Sequence, residues 1–149
     1  METEPAPTPS WGKGIVDAAS FSAATERALA HGEDRAIVLV ELVGALDVVV
    51  AAAESRLVRA VRPGDLVGRV GEHRFGVLAE TSGGRAAAEG VTRSLAGRIG
   101  ARLAEVFNVG GETIKLSPRV GVAFTKGDAD TAAKLLLCAE ERFEPPPGR

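Results

Sequence analysis

The sequence predicts an α+β domain with helices packed on a central, mainly antiparallel sheet. Three features carry that prediction. Ala36 to Val43 is a continuous, largely β-branched run; Leu66 to Val70 and Phe75 to Ala79 are short apolar runs joined by a glycine-containing connection; and the segments between such runs space their apolar residues by three and four. At 149 residues, 45% hydrophobic and 26% charged, the chain suits one ordinary globular core.

Residues 1–14 hold Pro5, Pro7, Pro9, Gly12 and Gly14 and read as a flexible N-terminal arm. Trp11, the one large aromatic there, either tucks onto the domain or recruits a partner. The ordered domain is expected over residues 15–144. It opens with a helix from Ser22 to Ala30, stopped near Gly32, followed by Ala36 to Val43 as a strand covered on both faces and therefore central.

Leu46, Val49, Val50, Ala53, Leu57, Val58 and Val61 then mark one face of a helix that ends at Pro63-Gly64. Leu66 to Val70 and Phe75 to Ala79 form a hairpin around Gly71, Glu72, His73 and Arg74, whose polar side chains should project from a sheet end. A long helix from Ala86 to Phe107 places Val91, Leu95, Ile99, Leu103 and Val106 on one stripe and is weakened by Gly90, Gly97 and Gly100. Thr113 to Leu116 and Arg119 to Phe124 are strand candidates, bent at Pro118, and Thr131 to Phe143 is a last helix with Ala132, Leu135, Leu136 and Ala139 inward. Residues 145–149 form a Pro-rich tail.

Composition narrows the function. A net charge of -2 provides no bulk field toward nucleic acid or anionic lipid, so any anionic ligand must be held locally. The longest apolar run, Val48 to Ala53, is far too short to span a bilayer. Membrane insertion and export are not expected, and a cytoplasmic setting is. The lone Cys138 reads as a small buried side chain, and two histidines with one cysteine cannot build a structural zinc site, so no cofactor is expected.

Arg62-Pro63-Gly64-Asp65, followed by Leu66 to Val70 and then Gly71-Glu72-His73-Arg74-Phe75, resembles the GGDEF domain of diguanylate cyclases. In that family an RxxD inhibitory-site motif precedes the signature hairpin by this spacing. The likeness extends to the helix before Arg62, the long helix after the hairpin, and Arg119-Val120-Gly121-Val122-Ala123, which is similar to the family's SxGxA strand. It covers about residues 20 to 143 and implies a GGDEF/nucleotidyl-cyclase-like fold, a ferredoxin-like palm.

The departures from the family pattern imply lost catalysis. Cyclising GTP requires divalent metal held by carboxylates. Here the signature reads GEHRF: His73 stands at the metal-binding third position and Arg74 replaces the following Glu. The end of the central strand supplies Glu41, Leu42 and Val43, of which only Glu41 could bind metal, and an arginine in the cleft would repel it. The family's FKxxND-type loop is missing, because Gly44-Ala45-Leu46 runs straight into the helix, a shortening of roughly ten residues. Asp47 matches at most one guanine contact. Asp17 to Phe21 replaces an LTGLxNR-like segment, and the late phosphate-contacting Lys falls near Pro147.

The resemblance leaves an inhibitory-type site for cyclic di-GMP on Arg62, Asp65 and Arg93. Guanidinium forks can bond guanine O6 and N7 while a carboxylate accepts from guanine N–H groups. Each residue also has a plainer role. Arg62 and Asp65 fit a helix stop, Arg93 fits a solvated helix face, and His73 and Arg74 fit a solvent-facing turn or a partner contact. Arg69 fits a ligand contact or an edge-strand charge. The expected function is thus a catalytically inactive regulatory domain that binds cyclic di-GMP, or a ligand-free interaction domain of the same fold. A protein partner or a homodimer is expected with either.

Overall fold

The computed structural model describes residues 14–81 and 84–143. Trp11, most of the expected arm and the Pro-rich tail lie outside the described residues. The elements are α1 (Ala18–Ala30), β1 (Arg35–Val43), α2 (Asp47–Ala60), β2 (Leu66–Gly71), β3 (Arg74–Glu80), α3 (Gly84–Ala104), β4 (Phe107–Val109), β5 (Glu112–Ile114), β6 (Ser117–Phe124) and α4 (Ala132–Glu141). No helix among the described residues is long and apolar enough to cross a membrane.

A sheet of order β2-β3-β1-β6 forms the middle of the domain, with every strand pair antiparallel. As the apolar run from Ala36 to Val40 predicts, β1 is interior, and those residues are all within 1% of full burial. Its side chains alternate between two cores. Val38, Val40 and Leu42 meet Val49, Leu57, Leu95 and Ile99 of α2 and α3, while Ile37 and Leu39 meet Phe21, Leu135 and Ala139 of α1 and α4. A helix pair therefore covers each face.

One row across the sheet shows why the α1 and α4 layer sits so close. Gly68, Gly76, Leu39 and Gly121 are successive register partners. A Cβ on Gly68 or Gly76 would come within 2.6 or 2.8 Å of Phe21, and one on Gly121 within 1.9 Å of the Ala139 carbonyl oxygen. These glycines let a phenyl ring and a helix backbone rest directly on the sheet. On the opposite face, antiparallel α2 and α3 each terminate on the other's arginine. Arg56 donates to the carbonyls of Arg102, Glu105 and Val106 and lies 3.6 Å from the Phe107 ring centroid, and Arg98 donates to the Ala60 carbonyl.

Several boundaries differ from those expected. α1 starts at Ala18, not Ser22, because the Asp17 carboxylate caps the Ser20 amide at 2.8 Å. α3 stops at Ala104, and Phe107 turns inward as the first residue of a small β4–β5 hairpin, which replaces the single strand expected over Thr113 to Leu116. The buried stripe of α3 is Ala88, Thr92, Leu95, Ile99 and Leu103, with Val91 and Val106 exposed. Leu46 is 66% exposed and precedes α2 instead of packing under it. α4 spans Ala132–Glu141 behind the capping hydroxyl of Thr131; Leu136 packs against the α1 and α4 core as expected but only half-buried, and Cys138, expected buried, is half-buried beside it.

Candidate functional site

Glu72 and His73 make a two-residue turn between β2 and β3, shorter than the four-residue connection expected, with a register shift between Arg69 and Gly71. The turn is docked, because the His73 carbonyl accepts from the Leu42 amide at 2.9 Å and continues the β1 ladder. His73 is only half exposed, so it is not a freely projecting tip. Its Nε2 is buried, makes no hydrogen bond, and lies 3.6 Å from the Asp47 carboxylate at the start of α2. Exposed Val43, Leu46 and Val48 stand in the same β1–α2 junction. Phe75 closes the signature as a buried core residue, and Arg69 reaches Glu54, the Glu72 carbonyl and the Phe75 ring.

Arg74 does not share a cleft with His73, contrary to the sequence-based expectation. It is the register partner of Glu41, whose other partner is Arg119. Residues 37, 39 and 41 of β1 face the α1 and α4 layer, so this row lies on the opposite sheet face from the His73 and Asp47 pair. Glu41 has Arg74 Nε at 3.5 Å from one oxygen and Arg119 Nη1 at 3.5 Å from the other. Arg74 Nη2 also donates to Glu140 of α4 at 3.0 Å, and both guanidiniums lie over the Phe143 ring at 5.6 and 5.4 Å. The hydrogen bond to Glu140, opposed by partial desolvation and reinforced by Glu41, raises the Arg74 pKa. The same bond and the two arginine charges hold Glu140 below the usual carboxylate range.

Arg62 and Asp65 meet at the other end of the hairpin. The Arg62 amide and Nε both donate to one Asp65 oxygen at 3.1 Å, and Nη2 donates to the other at 3.1 Å and to the Glu80 carbonyl at 2.8 Å. The Glu80 amide adds a weak fourth bond to Asp65 at 3.4 Å. The Asp65 side chain is 1% exposed and that of Arg62 40%, so a buried carboxylate holds a half-exposed guanidinium at the surface. Its bond to Asp65 raises the Arg62 pKa. Arg93 is exposed on α3 and lines the groove between α3 and β6; no described contact joins it to Arg62 or Asp65.

The arrangement defines a domain of GGDEF type: an antiparallel β2-β3-β1-β6 sheet, a helix pair on each face, and the signature hairpin beside the end of the central strand. The chain belongs to that family, for residues 44–144 match the family described as "Diguanylate cyclase, GGDEF domain". Among solved structures, the GGDEF domain of YfiN (TpbB) from Pseudomonas aeruginosa is similar at 26% identity and a TM-score of 0.75, covering 87% of this chain and 88% of that one. A sensory box/GGDEF protein from Caulobacter crescentus shares the fold at 24% identity and a TM-score of 0.69, covering 88% and 92%. Pseudomonas aeruginosa SiaD, solved in complex with its activator SiaC, shares the fold at 16% identity and a TM-score of 0.66, over 88% of this chain and 54% of that one. No protein of curated function matches the sequence.

Arg119, Glu140 and Phe143 were not among the candidate site residues expected from sequence, where Arg119 and Phe143 marked only a strand and a helix end. They lie up to 102 positions from Glu41 along the chain (143 minus 41) and are gathered only by strand register and by the packing of α4. A partial signal was present: a charged residue inside the otherwise apolar Ala36–Val43 run needs a partner on a neighbouring strand.

Proposed function

We propose that this domain is a catalytically inactive GGDEF domain that acts by binding, as a regulatory module. The observation that carries this reading is the position of Glu41. It is the one acidic side chain at the end of β1, and it is directed away from the turn and held between Arg74 and Arg119. On the turn side, the available donors are the His73 Nε2 and the Asp47 carboxylate, 93% exposed, flanked by Val43, Leu46 and Val48. Magnesium triphosphate calls for several convergent carboxylate oxygens, and this set does not fit it. The test is incubation of the full chain with GTP and either Mg²⁺ or Mn²⁺, with chromatography of the products. No cyclic dinucleotide above the protein-free blank is expected, and its formation would overturn the reading.

A second reading adds cyclic di-GMP as a regulatory ligand on Arg62, Asp65 and Arg93. Two observations favour it: Arg62 is pre-oriented at the surface by a buried carboxylate, and Arg93 is an exposed arginine with no ion pair among the described residues. Calorimetry with cyclic di-GMP is expected to show binding that the Arg62→Ala, Arg93→Ala double variant loses. Unchanged heat in that variant would exclude this site. No heat with the unmodified chain would leave the ligand-free interaction domain.

A further inference from the structure

The central sheet has one covered edge and one open edge. Val16 lies along β2, with its amide bonded to the Val67 carbonyl and its own carbonyl accepting from the Arg69 amide. Among the described residues, no strand lies beyond β6. The Thr125 amide bonds to the Arg35 carbonyl, so in the same register Arg119, Gly121 and Ala123 turn their peptide groups toward β1. Pro118, Val120, Val122 and Phe124 turn theirs outward.

Part of that outward row is already occupied. The Phe124 amide donates to Asp128 at 2.7 Å, and the Val122 carbonyl accepts from Arg142 at 3.1 Å. Pro118 has no N–H to leave unpaired, as suits an edge strand. The amides of Val120 and Val122 and the carbonyls of Pro118 and Val120 have no partner among the described residues.

These groups face a groove of about 870 Å³ between β6 and α3. Its helical wall is low. A Cβ on Gly97 would meet nothing within 4 Å, and one on Gly100 would touch only Val120 at 3.6 Å. Around the groove Arg85 and Arg142 share Asp128, Arg85 also holds Glu89, and Arg93 has no carboxylate among the described residues, so there the arginines outnumber the acids.

We propose that this groove docks an extended, carboxylate-bearing segment of a protein partner, which joins the sheet as a strand alongside β6. The unpaired peptide groups supply the ladder, the glycine wall supplies room for a second backbone, and the arginine excess selects acidic side chains. A second copy of this chain suits the groove less well, because two-fold pairing would set one arginine-rich groove against another. The site lies apart from the signature turn and from Arg62 and Asp65. It shares Arg93, so a docked strand and cyclic di-GMP would compete.

The probe is a short fluorescent peptide of alternating valine and glutamate, titrated into the full chain. Saturable binding is expected, weakened at least about tenfold by replacing glutamate with lysine, by N-methylating the peptide backbone, or by Gly97→Leu. Gly97→Leu fills the groove from an open helical position and keeps the fold, which circular dichroism verifies. Amide shifts in NMR spectra are expected at Val120, Val122 and Gly97. The proposal is overturned by no saturable binding at millimolar peptide, by equal binding of the N-methylated peptide, or by shifts confined to another face. It is also overturned if sedimentation shows a dimer of the chain that Gly97→Leu converts to monomer, since the occupant would then be a second copy.

Discussion

Glu41 and Arg74 are cross-strand neighbours on β1 and β3, with Arg74 Nε 3.5 Å from a Glu41 oxygen and Arg119 closing on the same carboxylate from β6. The signature position that carries a glutamate in the family pattern is here the hub of an ion-pair network that ties the hairpin to the end of α4.

Arg74→Glu restores the family's residue type but should not create a cyclase, because its side chain lies on the sheet face opposite the His73 and Asp47 pair. It would instead place a third carboxylate beside Glu41 and Glu140. Part of the cluster is solvated, so a loss of about 1–2 kcal/mol is expected in urea unfolding, with no cyclic product from GTP.

The glycine row gives a graded stability series. Gly121→Ala forces a Cβ against the Ala139 carbonyl and should cost about 3 kcal/mol or more, while Gly68→Ala and Gly76→Ala collide with Phe21, whose ring can shift slightly, and should cost less. Gly97→Ala, in open space on α3, should stabilise by up to about 1 kcal/mol. Denaturant midpoints at constant slope test the order, and equal midpoints for Gly121→Ala and Gly97→Ala would refute this account of the packing.

Arg56 satisfies carbonyls in and just beyond the last turn of α3 and covers Phe107. Arg56→Ala should lower stability by about 1–3 kcal/mol, and Arg56→Lys should recover little, since an ammonium cannot span those acceptors while stacking on the ring. Hydrogen exchange is expected to rise first at the β4–β5 hairpin.

Acid sensitivity should centre on Asp128. Burial alone would push its pKa up, but hydrogen bonds from Arg142 and the Phe124 amide, with the charges of Arg142 and Arg85, bring it below the ordinary value of 3.8. A carboxylate depressed in the folded state stabilises above its unfolded pKa and loses that contribution as pH falls through the folded one. Asp128→Asn should therefore lower the thermal midpoint at neutral pH, and the difference from the unmodified chain should shrink as pH drops below about 4. A constant difference down to pH 2 would contradict this assignment.

The hairpin, the end of α2 ahead of Pro63-Gly64 and the central place of β1 were legible because each rests on local signals: turn residues, helical spacing and an apolar run broken only by Glu41; α2 itself ends earlier than expected, at Ala60. The early start of α1 was also written locally, in Asp17, but the polar Ser20 and Ser22 obscured its apolar face. Phe107 looked helical by spacing, yet the core claimed it as a strand residue after a break in the chain direction.

For the candidate site, the chain alone determined which groups stand at the signature turn: an imidazole and a guanidinium in GEHRF, and RPGD one strand earlier. Only the tertiary structure decided what those groups face. Side chains alternate along a strand, so His73 and Arg74, adjacent in sequence, fall on opposite sides of the sheet, one toward Asp47 and the other into a pocket of charge built from β1, β6 and α4. A string of residues fixes that alternation but not its sense, which is set when the glycine row admits α1 and α4 to one face and α2 and α3 take the other.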